Sequence, residues 1–187
     1  MNAAAKPAVS EKMFLCYTIP QETTERNTVM RRKDREITDR TKIEAIMDRC
    51  SVCRIGFYDE GEIYIVPLNF GYVKEGEKDV LYFHGAKEGR KIDLAAKEPK
   101  VGFEMDGVYV LQQAEEACSF SAQYESIIGT GRLCLVEDPA EKRRGFTAIM
   151  KQSTGREDWN FPDAAIAGTA VLRLDVETLS CKSNAPE

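Results

Sequence analysis

The chain has a single histidine among its 187 residues. It stands in the stretch LYFHGAKEGRKIDL, residues 81–94, where an apolar run stops and a glycine-rich, basic segment begins. His84 is the only side chain type here that ordinarily changes charge near neutral pH. Six residues on, Arg90 and Lys91 fall in or near the first turn of an expected helix of about residues 88–97, which Glu98-Pro99 ends. Free amides and the positive pole of a helix favour an anion at that position. An arginine fork adds charge-assisted bonds suited to phosphate oxygens. Cations at a helix N-terminus oppose its dipole, which calls for a compensating anion. Two readings stand at this point: a phosphate-binding strand-to-helix turn, or a histidine beside a solvated basic loop.

Cysteine offers a second kind of chemistry. CSVC, residues 50–53, has the spacing of a zinc or dithiol half-site, but zinc needs two further ligands of the same logic. Cys118, Cys134 and Cys181 are scattered. Cys50 falls in phase with the apolar side of a helix and Cys53 with that of a strand, so core packing is favoured and no metal site is expected. GTGR, residues 129–132, lies within a strand rather than opening a helix, so it is no dinucleotide fingerprint and its glycines mark a bulge or a close approach. Trp159 and Phe161 share a proline-containing loop. They can stack on an aromatic ligand, or plug a barrel end or a subunit interface. EKRR, residues 141–144, reads as a solvated helix face.

The elements that must position these groups follow from periodicity. Asp39 or Thr38 can cap a helix whose apolar residues Ile43, Ile46, Met47 and Cys50 recur at helical spacing. From Cys53 the period becomes two. Strands are expected at 53–58, 63–72, 80–84, 101–105, 126–137 and 169–176, with a turn at DEGE and another at VKEGEKD. Pro67 marks a bulge, a bend or a ligand-facing edge. Asp138-Pro139 opens a further helix reaching about Gln152. Many strands in hairpin order with few helices between them suggest an antiparallel barrel, not a doubly wound parallel sheet.

With 26 basic and 31 acidic residues, the net charge is −5, which argues against broad nucleic-acid or anionic-membrane binding. No run approaches a membrane span. Residues 1–28 read as an extension, either a disordered leader or, through the apolar stretch 13–19, an edge strand or a cover for a partner. The domain proper is expected at 29–187. The leading residues lack the pattern of a secretory signal, so a cytoplasmic protein with reduced thiols is expected.

Several segments together resemble a family. MRRKDREI, VCRIGF, VPLNFGY, LYFHGAKEGRKIDL, VGFEM, YESIIGTGR and AVLRLDV occur in the order seen in nitroimidazole-resistance-type proteins. These belong to the pyridoxamine 5′-phosphate oxidase-like, FMN-binding split-barrel superfamily. The resemblance covers about residues 30–182. It implies a mainly β fold, a six-stranded antiparallel split β-barrel with a few short flanking helices, and a homodimer with FMN at its interface. Carried over by position, Arg90 and Lys91 match the pair that grips the FMN phosphate. Pro67, Leu68 and Asn69 match the strand along the isoalloxazine ring. His84 and Gly85 match the strand end beside the flavin, and Ser126 and Gly131 the strand that completes the pocket. Tyr64 stands where the oxidase branch typically has an arginine on the second strand, so this sequence departs there from the full phosphate-binding set and from the pattern for pyridoxamine phosphate as substrate.

The activity so implied is FMN-dependent reduction of a small, aromatic or nitro-bearing molecule, with a nicotinamide as a candidate electron donor. His84 is then the natural proton donor, or else a hydrogen-bond partner of the flavin or backbone. The alternative is a split barrel that binds flavin or haem without turnover, His84 being able to ligate iron.

Overall fold

The computed structural model describes residues 30–185. The expected extension at 1–28 lies outside the described residues. A two-residue strand, β1 (Glu36–Ile37), precedes α1 (Arg40–Arg49). Asp39 caps α1 by accepting a hydrogen bond from the Thr41 amide at 2.9 Å, and Ile43, Ile46, Met47 and Cys50 are all buried, as their spacing requires.

β2 (Cys53–Asp59) and β3 (Glu62–Leu68) form the expected hairpin. Next come β4 (Phe70–Glu75), β5 (Lys78–Gly85), α2 (Arg90–Lys97), β6 (Lys100–Gln112) and β7 (Ser121–Val136). The chain ends its described part with α3 (Pro139–Thr154), α4 (Asp163–Gly168) and β8 (Ala170–Ser183). The described strands number eight rather than six, and they form one antiparallel sheet ordered β3-β2-β6-β7-β8-β5-β4, with β1 on β8. One extra strand is β1. The other arises because the expected strand at 63–72 breaks at Asn69, giving β3 and β4 opposite ends of the sheet order. The sheet is thus bridged at its seam by the covalent chain through Asn69. Side chains from β2, β4, β5, β6, β7 and β8 meet in one interior cluster, among them Ile55, Phe70, Phe83, Phe103, Ile127 and Leu174. That is the core of a split barrel.

α1 and α2 contribute Met47 and Leu94 to the same cluster. α3 instead covers the outside, where Ala148 and Ile149 pack on Val80, Tyr82 and Val171. Its seat is close: a Cβ on Gly71 of β4 would lie 2.3 Å from the backbone of Ala148 and Ile149. EKRR is not a solvated face. Glu141 accepts from the Tyr82 hydroxyl at 3.1 Å and from Arg173 at 2.9 Å, while Arg144 pairs with Glu75 at 2.6 Å. These contacts pin α3 to β4, β5 and β8, and no local sequence pattern announces them.

Beyond the sheet irregularity between Asp106 and Tyr109, β6 and β7 continue as a two-stranded arm. Val108, Tyr109, Val110 and Leu111 are exposed along it.

Candidate functional site

The strand-to-helix turn after β5 forms as its residue types require. Gly89, the residue before α2, has φ +122°, a region that side-chain-bearing residues rarely adopt. The first turn closes when the amides of Ile92 and Asp93 donate to Gly89 O at 2.8 and 3.2 Å. The amides of Arg90 and Lys91 precede that first bond and are left for outside acceptors. The helix begins at Arg90, two residues later than the sequence pattern indicates, which places Arg90 and Lys91 at its first two positions.

Lys91 lies back along the strand end: a Cβ on Gly85 would meet its Cε at 2.8 Å and Nζ at 2.9 Å. The ammonium therefore sits against a bare stretch of backbone at Gly85. Arg90 turns the other way, toward the β2–β3 hairpin. Its Nε donates to Asp59 Oδ2 at 3.0 Å and its Nη2 lies 2.8 Å from the same oxygen. The guanidinium carbon stands 4.5 Å from the centre of the Tyr64 ring.

His84 is exposed and pairs with Val171 on β8. Successive side chains of a strand point to opposite faces. The Gly85 Cβ direction meets Lys91, so His84 projects from the other face, which carries Val80 and Tyr82 toward α3. There its ring centre lies 6.2 Å from that of Phe146, and Phe146 lies 5.5 Å from Phe161. Both separations suit aromatic contact. The structure thus brings His84 to the edge of an aromatic group on α3 and the following loop, and sets it across the strand from Lys91. Arg143 secures this loop by donating to Phe161 O at 2.7 Å. Trp159 does not join the group. Its ring faces the Arg156 guanidinium at 4.7 Å and its indole N–H donates to Thr154 Oγ1 at 3.3 Å.

Pro67 is exposed on the outer face of β3, and Leu68 turns inward. Asn69 makes the corner and donates to Ser51 O at 3.3 Å. Because Phe70 pairs with Phe83, this corner reaches the same end of the barrel as His84 and Gly85. Ser126 and Gly131 lie apart from that group. Ser126 pairs with Asp106 and Lys182 along β7. Gly131 is buried at a register shift, where a Cβ would fall 2.3 Å from Asp175 O. Close strand packing accounts for that glycine.

The CSVC thiols are core residues. Cys50 and Cys53 are 2% and 0% exposed, and burial pushes both thiols up to about 12. Among the described residues no group of three or more His, Cys, Asp or Glu side chains could hold a metal, and no helix is long and apolar enough to cross a membrane.

Asp59 and Phe146 are the neighbours that sequence reading missed. Asp59 reads only as a turn residue in DEGE, and Phe146 only as an apolar position of α3.

No curated protein matches the chain. Among solved structures, a candidate 5-nitroimidazole antibiotic resistance protein of Bacteroides thetaiotaomicron is 30% identical, with a TM-score of 0.68 over 79% of this chain and 86% of that one. The flavocytochrome Anf3 of Azotobacter vinelandii shares the fold at 23% identity, with a TM-score of 0.70 over 87% of this chain and 75% of that one. So does an FAD- and haem-binding protein of Mycobacterium smegmatis, at 19% identity and a TM-score of 0.68 over 82% and 76% of the two chains. The family model described as pyridoxamine 5′-phosphate oxidase matches residues 39–183. By that match, over most of its length, the chain belongs to the pyridoxamine 5′-phosphate oxidase family.

Proposed function

We propose that this protein is an FMN-dependent oxidoreductase that reduces a small aromatic or nitro-bearing molecule. The observation that carries the reading is the turn between β5 and α2. It offers two helix-initial amides with no partner among the described residues, the Lys91 ammonium against the backbone at Gly85, and Arg90 at the helix head, one edge of its guanidinium held by Asp59. That donor set suits a phosphate monoester. Arg90 and Lys91 would hold the phosphate, and the Pro67–Asn69 corner with His84 and Gly85 would border the ring.

A bound flavin supplies the electron transfer. The chain's own residues orient the substrate and manage protons. Exposed at the strand end, His84 can give a proton from its imidazole to a reduced acceptor. Phe146 and Phe161 form an apolar wall beside it, suited to an aromatic ring and able to exclude water from one side.

A homodimer is part of the same proposal. Ile63, Ile65 and Tyr58 are 67%, 60% and 59% exposed on neighbouring strands, and β6–β7 adds Ile128 and the apolar arm. Clustered exposure of this kind marks an interaction surface. A monomer in sedimentation at micromolar concentration would remove this part.

The test of function begins with the absorption spectrum of the purified protein. A two-band flavin spectrum, bleached on anaerobic reduction and restored by a nitroheterocycle, is expected. A Soret band would replace the reading with a haem-binding one, and a colourless protein that takes up no added FMN would end both.

A further inference from the structure

We infer that Tyr64 and Asp59 are positioning residues for Arg90, together presetting the guanidinium for a phosphate ligand. The inference rests on the phosphate role proposed for Arg90.

An arginine at the first position of a surface helix ordinarily samples many rotamers, and binding must then immobilise it. Here the side chain is held on two sides. The guanidinium carbon lies over the Tyr64 ring, 4.5 Å from its centre. Asp59 takes its Nε–Nη2 edge through one carboxylate oxygen, at 3.0 and 2.8 Å. Glu62 stands farther off, 3.8 Å from Nη2.

Of the five guanidinium N–H bonds, one edge is thereby occupied. The Nη1 amino group makes no bond among those of the described residues. The ring contact holds the guanidinium on one side and the carboxylate fixes which edge of the fork is turned toward the hairpin. The two supports come from successive strands, β2 and β3, so they are rigid relative to each other through the hairpin register Phe57–Tyr64 and Asp59–Glu62. Tyr64 itself is anchored against the core and its ring lies 6.0 Å from Phe57. Such supports can orient an arginine's planar fork; a lysine's point charge can meet the same groups but has no fork to orient. Asp59 costs the site part of its positive charge, so the arrangement favours orientation over field strength.

The test is a comparison of FMN and riboflavin affinity by fluorescence titration of the full chain. Tyr64→Leu removes the platform, and Tyr64→Phe keeps it. Tyr64→Leu and Asp59→Ala are each expected to weaken FMN about fivefold or more while moving riboflavin less than twofold, with Tyr64→Phe near wild type. In an Arg90→Lys background the same two substitutions are expected to have no further effect on FMN. Equal loss for both ligands, loss in Tyr64→Phe equal to that in Tyr64→Leu, or tighter FMN binding by Asp59→Ala would overturn the inference. If Tyr64→Leu fails to fold, Asp59→Ala alone decides by the same criteria. Failure of the underlying phosphate role is separately visible, because Arg90→Ala with Lys91→Ala would then weaken FMN and riboflavin alike.

Discussion

Replacing Gly71 by alanine is expected to lift α3 from the barrel. The added Cβ would sit 2.3 Å from the carbonyl carbon of Ala148 and from the amide nitrogen of Ile149, where ordinary contact begins at 3.4 Å. Both are backbone atoms in the middle of a helix, so no rotamer change relieves the overlap, and α3 must retreat by about 1 Å. That retreat loosens Ala148 and Ile149 from Val80, Tyr82 and Val171. It also strains the bonds that Gln152 donates to Met47 O and Cys50 O at 2.9 and 3.0 Å, which finish the last turn of α1. Overpacking against side chains costs about 1–3 kcal/mol, and a backbone obstacle puts this case near the top, at about 3 kcal/mol. For a domain of this size that lowers Tm by roughly 6–12 °C. Differential scanning calorimetry of Gly71→Ala beside Gly56→Ala is the assay. An added Cβ on Gly56 meets nothing nearer than Gly102 O at 3.8 Å, so that control should stay within about 1 kcal/mol of wild type. Equal Tm values for the two variants would refute the reasoning. Because α3 carries Phe146, Gly71→Ala should also alter the histidine ring resonances of His84, seen by NMR.

Three further outcomes are expected. Asp79 is 7% exposed. Burial raises its pKa, yet bonds from Arg40, Tyr72 and Lys74 outweigh burial and hold the carboxyl below its ordinary value of 3.8. Its contribution to stability is thus complete above the unfolded value and lost as pH falls through the lower folded one. Asp79→Asn should therefore destabilise at pH 7 and narrow its deficit below about pH 3.8; a pH-independent deficit in urea denaturation would contradict this. Native protein at pH 8 should leave Cys50, Cys53 and Cys181 unmodified by a thiol reagent while Cys118, which is exposed, reacts. Mass mapping that finds Cys53 labelled first would show the core reading to be mistaken. His84→Gln should keep flavin affinity within about threefold and cut acceptor reduction by about 10²-fold or more. An unchanged turnover would assign His84 no proton role.

Much of this architecture is legible because local chemistry and final position agree. The Asp39 cap, the burial of Ile43 through Cys50, and the inward phase of Cys53, Ile55 and Phe57 each follow from spacing alone. So does the strand-to-helix turn at Gly89, where a special backbone conformation demands a special residue. The illegible parts depend on partners distant in sequence. Nothing around Phe70 reveals that its strand closes the far end of the sheet, because hydrophobic alternation continues across Asn69. The extent of β6 and β7 was hidden for a different reason: an exposed arm lacks the inside-outside alternation that betrays a buried strand. α4 is too short to show a helical period. At the site, the head of α2 was readable, but the occupation of Arg90 by Asp59 and the contact of His84 with Phe146 depend on tertiary packing between elements that sequence distance keeps apart.

The corner at Asn69 also bears on which changes of length the gene can tolerate. β3 and β4 lie at opposite ends of the sheet order, with one residue between them. Adding or deleting a residue between Glu62 and Glu75 would invert the faces of one strand relative to the other. Tyr64, Val66 and Leu68, or else Phe70, would then turn outward. Compensation within a single hairpin is unavailable, since each strand is registered to a different neighbour, β2 or β5. The segment between β6 and β7, residues 113–120, carries no such constraint. Length variation among relatives should therefore collect in that turn and be scarce around Asn69.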